Sequence, residues 1–263
     1  MKVRVGITFN QQRKPETKKP AMEIAGWLKD NGCKAYVNPT KKVLETGLDF
    51  IIVLGGDGMI LHAADKVADF AIPLIGVNFG HKGYLCDVEY NEVFEKLKKV
   101  LNGDFGTKRR TRVQAEVFRE NKRTKTISGL NEILIGGINR TVFLEIRVIG
   151  ENKEFEAEVI GDGILISTQI GSTAYNINAG GSVLLTDAFS VVANNGLFKS
   201  DFLLPNTKSF VTSVEAVFEV RILNPHKQNL PYIVADGQRN YRFKNGDFVV
   251  IKRSEKETLF VRV

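Results

Sequence analysis

Apolar and polar positions follow two rhythms along this chain, and the change comes close to residue 103. Before it, short continuous apolar runs alternate with segments of helical periodicity. Residues 3–9, 34–37, 50–54 and 73–77 read as strands, and residues 15–31, 59–67 and 89–101 as helices. Ala21, Ile24, Ala25 and Leu28 form one apolar stripe, which Gly32 ends; Val93, Phe94, Leu97, Val100 and Leu101 form another. Alternation of strand and helix predicts a parallel sheet with helices on both faces.

After the Asn102-Gly103-Asp104 turn, helical periodicity gives way to alternating runs at 113–119, 132–135, 142–149, 155–159, 164–167, 214–222, 248–252 and 259–263. Turn residues such as Gly150-Glu151-Asn152 and Asn224-Pro225 separate them, which predicts a mostly β domain. One helix is expected inside it, over residues 174–180. The expected organisation is an α/β domain with a parallel sheet over residues 1–103. A mostly β domain over residues 104–263 follows, its last strand free to return to the first domain.

Composition narrows the class. With 263 residues, 43% of them hydrophobic, the chain can bury substantial cores. No apolar run is long enough to span a bilayer. The start MKVRVGITFN reads as a first strand and not as a signal peptide, so a cytoplasmic protein is expected. Cys33 and Cys86 lack metal-type spacing and read as free thiols in a reducing compartment. Three histidines and no cysteine pair argue against a zinc site. The net charge of +7 concentrates in Lys108, Arg109, Arg110, Arg112, Arg119, Lys122, Arg123 and Lys125. Their alternation with Val113, Ala115 and Val117 favours the solvated face of a strand and its hairpin over contacts with phosphates or an acidic neighbour. Without interleaved aromatics, neither a nucleic acid nor a membrane is an expected partner.

Residues 51–58, Ile-Ile-Val-Leu-Gly-Gly-Asp-Gly, set one carboxylate among three glycines where a strand is predicted to become a helix. Glycines there permit positive φ and close approach of a ligand. The helix start turns N–H groups towards an anion such as phosphate. No P-loop occurs in the chain, and Leu61 stands at the third glycine position of a dinucleotide fingerprint. Two readings of Asp57 are open. It caps the helix, or it serves phosphoryl transfer by orienting a hydroxyl and receiving its proton, or by holding Mg2+. A cap accounts for Asp57 but not for three glycines.

Residues 161–181 read GDGILISTQIGSTAYNINAGG. Ser167, Thr168, Ser172 and Thr173 offer hydroxyls around Gly171, and Tyr175 offers a flat ring. Such a surface suits a ligand with hydroxyls, phosphates and a base; an ordinary capped turn is the alternative. Gly55-Gly56-Asp57-Gly58 resembles a turn shared by NAD kinases, diacylglycerol and sphingosine kinases and phosphofructokinases, all of which phosphorylate an alcohol. Asp162-Gly163, Ser167-Thr168, Gly171-Ser172-Thr173-Ala174-Tyr175 and Ala179-Gly180-Gly181 resemble the NAD kinase signature in particular. Asn78-Phe79-Gly80-His81-Lys82-Gly83-Tyr84-Leu85 resembles that family's Asn-x-Gly-x-x-Gly-Phe-Leu loop. Asn131-Glu132 resembles its Asn-Asp or Asn-Glu pair, and Asp236-Gly237-Gln238 its late Asp-Gly-Gln. Met59 stands where the family has Thr, Gln169-Ile170 where it has Pro-Thr, and Asn178 where it has Ser.

The resemblance implies a kinase transferring a phosphoryl group from ATP, or polyphosphate, to the 2′-hydroxyl of the adenosine ribose of NAD. Asp57 would be the base or orienting carboxylate. Gly55, Gly56, Gly58, Asn78 and Gly80 would surround the donor phosphates, with Gly56 and Gly58 also giving NAD access to the backbone. Tyr84 would lie near the adenine. Asn131 and Glu132 would meet ribose or pyrophosphate-side groups, Glu132 accepting from hydroxyls. Thr173, Ala174 and Tyr175 would line the adenine pocket, Asp162 would hold the nicotinamide or its ribose, and Asn178 would supply an amide. Mg2+ would arrive with ATP, with no resident metal, and the implied assembly is a homodimer or homotetramer. Two rival readings are a non-catalytic sensor of NAD(H) or NADP(H), and a Gly-Gly-Asp-Gly kinase of another alcohol such as a lipid or sugar. On context alone Tyr84 also suits a core aromatic, and His81 a solvated loop histidine.

Overall fold

Along the chain run β1 (Arg4–Phe9), α1 (Lys18–Asp30), β2 (Lys34–Val37), α2 (Lys41–Glu45), β3 (Phe50–Gly55), α3 (Asp57–Val67), β4 (Leu74–Asn78), β5 (Val88–Glu89), α4 (Val93–Leu101) and β6 (Gly106–Arg110). There follow β7 (Val113–Arg119), β8 (Lys122–Gly129), β9 (Glu132–Gly136), β10 (Val142–Ile149), β11 (Glu154–Gly161), β12 (Gly163–Ser167), α5 (Tyr175–Asn178), β13 (Ala188–Asn194) and β14 (Leu197–Lys199). The last are β15 (Ser209–Ser213), β16 (Val217–Ile222), β17 (Tyr232–Ala235), β18 (Arg239–Arg242), β19 (Asp247–Arg253) and β20 (Thr258–Arg262). This is a computed structural model, and it describes residues 2–79, 83–137, 141–151, 153–223, 230–244 and 246–263. Two units result: Met1–Arg110 with Lys256–Val263, and Thr111–Glu255.

In the first unit the sheet has the order β2-β1-β3-β4-β20-β6, with β5 beside β4. Strands β2, β1, β3, β4 and β20 run parallel, and β6 enters antiparallel to β20. Every residue of β3 and β4 is buried. Helices on both faces explain why these strands read as continuous apolar runs without alternation. The predicted α1 stripe is the buried one. With Val93, Leu97 and Val100 of α4 it joins Val5, Ile7, Ile52 and Leu54 in one core cluster. Helix α3 covers the other face, where a Cβ on Gly76 would lie 2.8 Å from Ile60 Cδ1. Gly55 pairs with Asn78 at the C-terminal ends of β3 and β4. The Gly-Gly-Asp-Gly turn and Asn78 therefore share the sheet edge at which open α/β folds bind ligands. The division between units falls after Arg110, past the Asn102-Gly103-Asp104 turn, because β6 pairs with the returning β20.

The second unit is a sandwich of two antiparallel sheets, ordered β14-β11-β10-β16-β19-β7-β8 and β15-β13-β12-β9-β17-β18. Val142, Leu144, Ile146 and Val148 from one sheet meet Ile133, Ile135, Ile164, Ile166 and Phe189 from the other in a single core. The run read as one strand over 214–222 begins later, at Val217. Strand β15 ends at Ser213 and β16 begins at Val217, across a turn in which the Ala216 N–H donates to the Ser213 carbonyl. The helix expected over 174–180 is a 3-10 turn, Gly171–Thr173, followed by the short α5.

The basic stretch is not one solvated face. Lys108, Arg109 and Arg110 lie on β6 of the first unit, and the others belong to the second. Arg112 is fully buried, while Arg119 pairs with Asp247 at 2.7 Å and Arg123 with Glu116 at 3.1 Å. Cys33 is buried, Cys86 half-buried, and both are free thiols. No helix among the described residues is long and apolar enough to cross a membrane.

Phe260, on β20, is 2% exposed. The substitution Phe260→Ala is expected to cost about 3–5 kcal/mol in urea unfolding. A loss below about 1 kcal/mol would mean that β20 is not an integral strand of the first unit.

Candidate functional site

Asp57 is the first residue of α3, with Gly56 at the N-cap position and no side-chain cap bond. Its carboxylate turns instead to the segment after β4. Oδ2 accepts the Tyr84 N–H and Oδ1 the Leu85 N–H, each at 3.0 Å. The cap reading is thereby replaced: Asp57 holds a loop, and the loop holds Asp57. Gly83 has no room for a side chain, since a Cβ there would lie 2.3 Å from Asp57 Oδ1. Met59 packs on the turn, where a Cβ on Gly55 would lie 2.8 Å from Met59 Cβ.

Asn78 is buried and donates from Nδ2 to the Glu89 carboxylate at 3.1 and 3.3 Å. Its Oδ1 has no partner among the described residues. Lys14, which the sequence did not single out, donates from Nζ to the Phe79 carbonyl and so brings a cation to this edge. The Cys86 Sγ reaches the Gly55 carbonyl at 3.4 Å. Burial, with the charges of Asp57 and Glu89, pushes this thiol up to about 12, which keeps it protonated and inert. The Tyr84 ring is 80% exposed and not a core aromatic. Gly80, His81 and Lys82 lie outside the described residues.

In the second unit, Asp236 does for Asn131-Glu132 what Asp57 does for Tyr84-Leu85. It lies on the turn after β17 and accepts the N–H groups of Leu130, Asn131 and Glu132 at 2.7, 2.8 and 3.2 Å. A Cβ on Gly129 would meet its Oδ1 at 2.7 Å. Burial raises the Asp236 carboxyl, against the lowering effect of these three bonds and of Arg112. The motif was legible in sequence; its work as a backbone clamp was not.

Asn131 and Glu132 are both 8% exposed. Burial, and then the Asp236 charge, pushes Glu132 up to about 8. At neutral pH it therefore keeps its proton and offers a donor as well as the expected acceptor. Glu132 pairs in register with Ser167 of β12, and Ser167 with Ser190 of β13. Glu132 Oε2, Ser167 Oγ and Ser190 Oγ are buried with no partner among the described residues, as is Asn131 Oδ1. Such a concentration of unpartnered oxygens is costly unless a ligand or water meets it.

The Gly-Ser-Thr turn packs on the same segment. A Cβ on Gly171 would lie 2.1 Å from the Asn131 carbonyl oxygen. Thr168 donates from Oγ1 to the Leu130 carbonyl at 2.7 Å and from its N–H to that of Asn131 at 2.8 Å. Asn131-Glu132, the Ser167–Tyr175 stretch and Asp236 are thus brought together from three separate parts of the sequence. Thr173 and Asn178 are exposed and Ala174 half-buried. The Tyr175 ring is 42% exposed, and its Oη accepts from Asn194 Nδ2 at 3.0 Å. Asp162 accepts from Asn195 Nδ2 at 2.8 Å.

Comparison with known proteins joins these observations. Residues 38–105 match the family described as the ATP-NAD kinase N-terminal domain, and residues 130–263 the ATP-NAD kinase C-terminal domain. The chain is 29% identical to the NAD kinase of Caldanaerobacter subterraneus subsp. tengcongensis, covering all of this chain and 94% of that one. It is 32% identical to the NAD kinase of Natranaerobius thermophilus over 82% of this chain and 73% of that one. A crystal structure of an Archaeoglobus fulgidus NAD kinase in complex with ATP superposes with a TM-score of 0.75 at 25% identity, covering 98% and 93% of the two chains. Yeast NADH kinase complexed with NADH shares the fold at 18% identity, with a TM-score of 0.75 over 100% and 84%. The matched domains and the relatives that carry them are those of kinases, phosphotransferases acting on an alcohol. Within that class, the chain belongs to the NAD kinase family.

Glu132 holds its proton up to about pH 8 in the folded chain, against an ordinary value of 4.5. Its contribution to stability is complete below 4.5 and is lost as the pH rises towards 8. Thermal denaturation across that range should show wild type losing stability relative to Glu132→Gln, by up to about 1.4 kcal/mol per pH unit. Parallel pH profiles for the two proteins would show that Glu132 ionises normally.

Proposed function

We propose that Asp57 is the carboxylate around which this chain performs an NAD kinase reaction, moving the γ-phosphoryl of ATP to the 2′-hydroxyl of the adenosine ribose of NAD. The observation that carries this reading is the fixation of both Asp57 oxygens by the Tyr84 and Leu85 N–H groups at the start of α3. Each oxygen keeps a further lone pair, so the carboxylate can orient a hydroxyl and take its proton without reorganising. In a loose phosphoryl-transfer transition state the proton leaves late, and such positioning matters more than basicity.

Gly55, Gly56, Gly58 and Asn78 serve the donor phosphates, and Gly80 of the same motif has that assignment on sequence alone. Lys14 adds a positive charge at this edge of the sheet. In the second unit NAD is taken by Asn131, Glu132, Asp162, Thr173, Ala174, Tyr175 and Asn178; in the first unit Gly56, Gly58 and the exposed Tyr84 ring have an NAD-binding assignment on sequence alone. The unpartnered oxygens of Asn131 and Glu132 support that assignment, because ribose hydroxyls and amide groups can satisfy them.

Mg2+ belongs to this reading as the partner of ATP. Asp57 and the unpartnered Asn78 Oδ1 are oxygen donors of the kind it takes, and bound there it would neutralise phosphate charge. Two free thiols fit a reducing, cytoplasmic setting. Exposed Ile160, Leu197, Phe202 and Leu204 in the second unit fit a homo-oligomer.

The test is NADP formation by the purified protein with Mg2+ and, in parallel, ATP, polyphosphate or no donor. Product with ATP is expected. In Asp57→Asn, kcat should fall by about two orders of magnitude or more, while NAD affinity stays at the wild-type value. An active Asn variant would refute the role of Asp57. NAD binding without product from any donor would favour a sensor.

A further inference from the structure

Strands β13 and β14 are joined by Asn195-Gly196, which forms with Asn194 at the end of β13 a turn outside the sequence motifs. Pairing of Gly163 with Asn194, and of Ile160 with Leu197, seats it against Gly161-Asp162-Gly163, the link between β11 and β12. The two turns fit without a spare atom. A Cβ on Gly161 would lie 2.7 Å from Gly196 Cα, and a Cβ on Gly196 would lie 2.3 Å from the Ile160 carbonyl oxygen. The Asp162 N–H donates to the Asn194 carbonyl at 2.8 Å. Asn195 has φ 46°, a left-handed conformation that Asn tolerates better than most residues.

From this locked turn two adjacent amides reach two different NAD-binding residues. Asn195 Nδ2 donates to Asp162 Oδ2 at 2.8 Å, and Asn194 Nδ2 donates to Tyr175 Oη at 3.0 Å. Asn194 is buried at 8% exposure, so its amide is not a wandering surface group. Both bonds have a direction. Tyr175 Oη accepts from Asn194, which leaves its own O–H to donate elsewhere. Asp162 has one oxygen occupied by Asn195, which leaves Oδ1 to accept.

We propose that Asn194 and Asn195 are positioning residues that set the hydrogen-bond polarity of the NAD site, with Tyr175 presented as a donor and Asp162 as an acceptor. The ligand groups this suits are an oxygen acceptor opposite Tyr175, and a hydroxyl or carboxamide N–H opposite Asp162. The inference rests on the assignment of Asp162 and Tyr175 to NAD binding.

The experiment is NAD titration by calorimetry, with steady-state kinetics, on wild type, Asn195→Gly and Asn194→Ala, each also combined with Asp162→Ala or Tyr175→Phe. Glycine at 195 keeps the left-handed backbone and removes only the amide. Each single Asn variant should raise the Kd and KM for NAD about three- to tenfold, the worth of one hydrogen bond. The kcat and the KM for ATP should stay within about twofold of wild type, a smaller change than a lost hydrogen bond. Asn194→Ala should add nothing in the Tyr175→Phe background, nor Asn195→Gly in the Asp162→Ala background. Should Asn194→Ala fail to fold, Asn194→Asp keeps the test: it accepts from Tyr175, turns that proton inwards and should match Tyr175→Phe. Unchanged NAD affinity in the Asn variants, or additive losses in the double variants, overturns the positioning roles. Absence of NAD binding by wild type overturns the NAD-site reading itself, and is seen before any variant is made.

Discussion

A carboxylate closing on consecutive backbone N–H groups is the interaction on which both halves of this protein depend. Asp57 holds Tyr84 and Leu85, and Asp236 holds Leu130, Asn131 and Glu132. Each clamped segment follows a glycine whose missing Cβ makes the approach possible, Gly83 in one case and Gly129 in the other. Hydrogen bonds to a charged acceptor contribute about 1.5–3 kcal/mol each, enough to turn a loop into a fixed surface. The same bonds fix the acid. Asp57 is therefore held in one orientation, and Asn131-Glu132 starts its strand in one register only.

That register explains the chemistry of the second unit. Strands β12 and β13 are buried along their whole length, so polar residues near their ends are drawn out of water with the apolar ones. Glu132, Ser167 and Ser190 share one row across three strands. Burying a carboxyl beside Asp236 costs free energy. A ligand that supplies hydroxyls and amide groups recovers part of it. On the proposed reading, binding and pH dependence are two consequences of one burial.

Much of the fold was legible because burial wrote it into periodicity. The α1 stripe and the continuous run of β3 are direct images of a helix on a sheet and of a sheet covered on both faces. What escaped had a contrary or silent pattern. Strand β8 begins Lys-Arg-Thr-Lys-Thr and is exposed over that part, so it has no apolar alternation to read. Strand β13, Ala-Phe-Ser-Val-Val-Ala-Asn, is wholly buried and so lacks alternation as well. Arg112 looked like one more solvated cation because the acid that balances it, Asp236, is distant in sequence. The glycine-rich and Ser/Thr-rich motifs announced their own positions. The groups that aim them, Asp236, Asn194 and Asn195, have partners set by strand pairing, which no local window contains.

The return of β20 to the first sheet has a bearing on how the molecule is made. Strand β20 lies between β4 and β6, and these are joined only through it. A ribosome delivers residues in order, so the first unit waits through the synthesis of the whole sandwich with the β4 edge covered by β5 at Val77 and Asn78 but open at Leu74, where β20 pairs. Open strand edges are templates for the wrong partner. The interval between emergence of β6 and emergence of β20 is thus the period of greatest exposure to misassembly.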